Sequence, residues 1–97
     1  MPFNKFVPYI FSPVSVRKNA PELSGVYGLS NAREWIFVGE TDNIKATLLG
    51  HLQETHTPLR ERGPTGFMFE LCVPYNRSAR QERLIQEYGP VCNHRPN

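Results

Sequence analysis

Two short runs of β-branched and aromatic residues constrain this chain more than any other feature. Val26-Tyr27-Gly28-Leu29 and Trp35-Ile36-Phe37-Val38 are separated only by the turn formers Ser30-Asn31-Ala32-Arg33-Glu34. Strand-forming runs on either side of so short a polar link predict a β-hairpin. The residues that follow define the next element. Gly39 ends the second strand, and Thr41, Asp42 and Asn43 each offer an oxygen for a helix N-cap. Ile44, Leu48 and Leu52 then recur every fourth residue, with Leu49 beside them, which predicts an amphipathic helix packed on the hairpin. Thr47 and His51 share a neighbouring face of that helix.

The polar stretch Glu54–Gly66, with two prolines and two glycines, predicts a loop. Phe67, Phe69, Leu71 and Val73 alternate with Met68, Glu70 and Cys72, so a strand with one strongly apolar face is expected up to Pro74. Asn76 or Ser78 is expected to cap a last helix ending near Tyr88, closed by Gly89 and Pro90. Leu84, Ile85 and Tyr88 would face the core, and Gln81 would point to the same side. A buried amide there needs partners, because leaving it unsatisfied costs about 1–3 kcal/mol. Ser78-x-x-Gln81 also fits a capping box, which would make Gln81 a helix-start device. Residues 1–22, interrupted by Pro8, Pro13 and Pro21, are expected to form an edge strand or an extended arm on the domain. Hairpin, helix, strand and helix together give an α/β domain of the α+β type, a small mixed or antiparallel sheet covered by helices.

Ninety-seven residues and 11.1 kDa match one domain, spanning 1–97 with a core over 23–93. The N-terminus has no continuous apolar region, and no run approaches the roughly 20 residues of a membrane span. A soluble, cytoplasmic protein without membrane contact is the expectation. Cys72 and Cys92 are too few for a disulfide scaffold and lack zinc spacing. His51 and His56 are five apart, off the spacing that aligns ligands on one helix face, so no histidine or cysteine metal site is expected. A net charge of +2 permits nucleic-acid binding without concentrating it, because the C-terminal arginines are interleaved with Glu61, Glu70, Glu82 and Glu87.

With these elements placed, Gly25-Val26-Tyr27 and Phe37-Val38-Gly39 resemble the two tripeptides of the GIY-YIG nuclease family. They lie on the first two strands at close to the family's separation. His51 matches a frequent family histidine on the first helix, and Leu84-Ile85, Pro90 and Asn93 match the family's C-terminal spacing. The resemblance covers residues 23–93 and implies a metal-assisted phosphodiesterase fold. In such enzymes a tyrosine or a metal-activated water helps generate the nucleophile, an arginine meets the phosphate, and a glutamate holds one divalent cation.

Three of the matched positions depart from that pattern. The second tyrosine is Phe37, the arginine falls on Thr47, and the glutamate falls on Gln81. Threonine lacks the permanently charged planar fork of arginine. Glutamine keeps the size of glutamate without the charge that magnesium usually requires. The degenerate positions Tyr27, Phe37, Thr47, His51, Gln81 and Asn93 therefore imply a nuclease-like domain without cleavage and without a bound cofactor. It would keep weak affinity for DNA or RNA through Lys45, Arg77, Arg80 and Arg83. Two alternatives stay open. One is a protein-interaction or regulatory module on the same scaffold, including a homodimer. The other is an active magnesium-dependent endonuclease in which Glu40 or Glu82 rebuilds the metal site.

Overall fold

The computed structural model describes Phe3 and residues 7–93. Its elements in chain order are β1 (Tyr9–Ile10), α1 (Pro13–Asn19), β2 (Gly25–Ser30), β3 (Trp35–Thr41) and α2 (Ile44–Gln53). Then follow α3 (Pro58–Glu61), β4 (Gly66–Leu71), α4 (Pro74–Tyr88) and a 3-10 turn at Val91–Asn93. The four strands form one sheet in the order β1-β4-β2-β3, antiparallel at every pairing. The expected hairpin is present, with Tyr27 opposite Gly39 and Leu29 opposite Phe37. β4 lies along the other edge of β2, placing Phe69 opposite Tyr27 and Phe67 opposite Leu29.

Helices cover both faces of the sheet. On one face Val16 of α1 and Ile44 and Leu48 of α2 pack with Tyr27, Leu29 and Phe67. On the other, Leu84 of α4 and Phe3 pack with Val26, Val38 and Met68. Asn43 caps α2 as the sequence predicts, its side chain accepting the Ala46 amide at 3.0 Å. Ile44 and Leu48 are fully buried, whereas Leu52, a turn further on, is only half-buried.

Four sequence expectations need correction. The segment expected as an edge strand or arm over residues 1–22 is a strand only at β1 and then turns into α1. Ser12 accepts the Ser15 amide as N-cap, and Pro13 occupies the first helical turn, where its missing N–H is no loss. Of that segment, residues 1, 2 and 4–6 lie outside the described residues. The loop expected over Glu54–Gly66 contains α3, capped by Thr57. β4 does not present a single apolar face. Phe67 and Met68 are buried in opposite cores, while Leu71 and Val73 are exposed. A strand covered on both sides loses its alternation, and its far end lies beyond that cover.

The last helix begins at Pro74, not at Asn76 or Ser78, with Val73 at its N-cap and no side-chain cap bond. Proline pre-set for the first turn supplants the polar candidates. Gln81 then lies well inside the helix, and the capping box does not form. The helix ends as expected: Gly89 adopts φ 58° and donates its N–H to the Ile85 carbonyl. Leu84 is completely buried between α4 and the sheet. Leu84→Ala should destabilise the domain by about 2–5 kcal/mol in denaturant melts. A loss below about 1 kcal/mol would contradict this packing.

Candidate functional site

The six matched positions gather around β3, in two groups. The first lies on the α2 side of the sheet. Tyr27, on the central strand, extends its ring across to β3, where the hydroxyl meets His51 Nε2 of α2 at 2.7 Å. Gly39 leaves the space for this ring, since a Cβ there would come within 2.6 Å of the Tyr27 hydroxyl oxygen. Phe37 packs against the pair, its ring 6.0 Å from Tyr27 and 5.9 Å from His51, the latter edge-on. His51 Nδ1 contacts Glu54 Oε1 at 3.2 Å. One turn earlier on α2, Thr47 shares a 2.6 Å hydroxyl–hydroxyl bond with Thr41 at the end of β3.

The second group binds the outer edge of β3 at Val38. Asn93 accepts the Val38 N–H at 2.7 Å and donates to the Val38 carbonyl at 2.9 Å. Gln81 Nε2 donates to the same carbonyl at 3.3 Å. β3 is an edge strand, and the two amides supply the partners that a neighbouring strand would otherwise provide. Gln81 thus faces inward, as the sequence predicts, with a main-chain partner.

The basic residues differ among themselves. Arg77 is largely covered, with a side chain 17% exposed. It donates to Glu40 at 3.3 Å, to Ser24 Oγ at 3.1 Å, to the Thr41 carbonyl at 3.3 Å and to Asp42. Arg80 forms a two-pronged pair with Glu70 at 2.8 and 2.9 Å. Lys45 is half-buried and Arg83 exposed. Glu82 is exposed as well, while the Glu40 carboxylate is held by Arg77.

Sequence reading missed the groups that complete these contacts, namely Glu54 behind His51, Thr41 opposite Thr47, and the carboxylates that hold Arg77 and Arg80. Only the first left a local trace. His51-x-x-Glu54 has the three-residue spacing of a side-chain pair at a helix end. The others join residues of different elements, from six residues apart for Thr41 and Thr47 to 37 for Arg77 and Glu40.

Known proteins bear on this geometry. No protein-family profile matches the chain. UvrABC system protein C of Hydrogenobaculum sp. (strain Y04AAS1) is 32% identical over 83 residues, which cover 86% of this chain but only 14% of that protein. Among solved structures, the GIY-YIG N-terminal endonuclease domain of UvrC from Thermotoga maritima, bound to its catalytic magnesium, superposes with a TM-score of 0.69 at 21% identity. That match covers 81% of this chain and 96% of the other. A point mutant of the same domain with tyrosine replaced by phenylalanine, also bound to the catalytic divalent cation, gives 0.70 over 82% and 96% of the two chains at 21% identity. The fold is that of a nuclease domain, a four-stranded antiparallel sheet with helices on both faces. The chain has the GIY-YIG fold.

Burial, and then the nearby Glu54 carboxylate, push the Tyr27 phenol above the usual tyrosine range. A folded-state value raised above the unfolded one means that the native state holds the proton more tightly. The associated stability is therefore intact below about pH 10 and is lost as the pH rises further. The expected slope for one proton is at most about 1.4 kcal/mol per pH unit. Denaturant melts between pH 8 and 11 should show stability falling faster in the unmodified protein than in Tyr27→Phe. Equal slopes would contradict the burial of this phenol.

Proposed function

We propose that this domain keeps the endonuclease scaffold without its cleavage chemistry and binds nucleic-acid backbone weakly. One observation carries the reading. Where the family places a metal-holding carboxylate, Gln81 offers a neutral amide already bonded to a main-chain carbonyl.

The solved relatives hold a catalytic divalent cation, in the unmodified domain as in its tyrosine-to-phenylalanine form. Loss of one phenol hydroxyl is thus compatible with a bound cation in that relative. Loss of the carboxylate is a different matter. A magnesium ion usually takes one or two carboxylates, and of the candidate replacements Glu40 is paired with Arg77 while Glu82 is exposed. The donor set of this chain does not fit the cation, and no step is assigned through one.

Charge on the transferring phosphate lacks its partner too. Thr47 carries no charge and is tied to Thr41. Single electrostatic donors in such sites are often worth about 10²–10³ in rate. Backbone binding remains within reach of Lys45 and Arg83, with Arg77 and Arg80 contributing field from within their ion pairs.

A protein-interaction module is the second reading, favoured by the exposed apolar strip Leu23, Leu71, Val73 and Tyr75. A stable protein partner with no affinity for nucleic acid would establish it in place of the first.

With Mg²⁺ or Mn²⁺, the purified domain should not nick branched, single-stranded or duplex DNA above a no-enzyme control. It should bind DNA or RNA with an affinity that falls as salt rises, because phosphate contacts release counterions. Lys45→Ala with Arg83→Ala should lower both the affinity and the salt slope. Robust cleavage abolished by Glu40→Ala or Glu82→Ala would show a rebuilt active site and overturn the reading.

A further inference from the structure

The contact between Tyr27 and His51 does not end at the imidazole. His51 Nδ1 lies 3.2 Å from Glu54 Oε1, and the same oxygen accepts the Thr57 hydroxyl at 3.3 Å. Arg60 donates its Nε–H to the Glu54 main-chain carbonyl at 3.2 Å, which fixes the backbone that carries the carboxylate. Glu54 is the C-cap residue of α2, and Thr57 is the N-cap of α3. The histidine is therefore held between a phenol on the central strand and a carboxylate at the end of its own helix.

We infer that Glu54 is a positioning residue for the Tyr27–His51 pair, fixing the neutral imidazole as its Nδ1–H tautomer so that Nε2 accepts the Tyr27 hydroxyl proton. A carboxylate only accepts hydrogen bonds, so the nitrogen facing it must donate. A neutral imidazole has one N–H, and with that proton on Nδ1 the Nε2 lone pair is left for Tyr27. The phenol, kept protonated by burial and by the Glu54 charge, has a proton to give. Every bond in the row then runs in one direction, from Tyr27 through His51 to Glu54. The imidazole is side-on to Phe37, which offers no competing polar group at that edge. The arrangement follows the logic by which a carboxylate fixes the tautomer of a catalytic histidine. It does not depend on whether the domain cleaves anything, because it concerns proton placement within the folded chain.

Histidine ¹⁵N spectra read on the neutral limb of the titration test the inference directly. In the unmodified protein Nδ1 should carry the proton, with a preference of roughly tenfold or more, as a charge-assisted hydrogen bond implies. Glu54→Ala should abolish that preference. Tyr27→Phe and Thr57→Val should leave it in place, because neither removes the carboxylate. If Glu54 served only to close α2 as its C-cap, Glu54→Ala would leave the tautomer unchanged. An Nε2–H imidazole in the unmodified protein, its retention as Nδ1–H in Glu54→Ala, or its loss in Tyr27→Phe would each overturn the assignment. Should Glu54→Ala fail to fold, the unmodified protein and Tyr27→Phe still decide it.

Discussion

Every residue of β2 from Gly25 to Ser30 is buried, and both edges of the strand are paired, β3 on one side and β4 on the other. A strand so enclosed can bring only what its neighbours leave room for. Gly25 illustrates this, since a Cβ there would fall 2.2 Å from the Glu70 carbonyl oxygen. Around this strand the two layers assemble separately, Val26 closing the α4 side while Tyr27 and Leu29 close the side of α1 and α2. Tyr27 is thereby committed to a buried position, where its hydroxyl needs a partner. His51 supplies one.

The outer edge of β3 presents the second constraint. An edge strand leaves main-chain groups unpaired unless something covers them. Here the Asn93 amide makes both bonds to Val38, and Gln81 adds a third. Asparagine and glutamine suit this task because each amide can donate and accept, or donate without carrying charge. At Gln81 the amide donates to the strand without bringing a negative charge to its edge. Thr47 and Thr41 present a parallel case, two hydroxyls satisfying each other between α2 and the end of β3. In both cases the side chain is engaged in contacts with β3.

How much of this was legible in the sequence depended on the range of the interaction. The hairpin, the capped helix α2 and the Gly89 terminus are set by neighbours a few residues apart, and the periodicity and caps reported them. α1 was hidden because Pro13 reads equally as a strand breaker and as a first-turn proline, and only the burial of Val16 decides between them. The two-sided burial of β4 could not be inferred from its alternation. At the site, the inward aim of Gln81 followed from its distance to Leu84 and Ile85, but its partner Val38 is 43 residues away. The Glu40 carboxylate engaging Arg77 is 37 residues away, and the Arg80–Glu70 pair, though only ten residues apart, joins α4 to β4 across a turn that periodicity does not report.

The central claim is that the side chains at this site serve the sheet and no longer hold a metal. Isothermal titration of the unmodified domain with Mn²⁺, with Mg²⁺ in parallel, tests it without requiring a substrate. Heats indistinguishable from buffer dilution up to millimolar ion are expected, and Gln81→Glu alone should introduce a measurable, saturable binding event. Stoichiometric binding by the unmodified protein that is lost in Glu40→Ala or Gln81→Ala would contradict the claim.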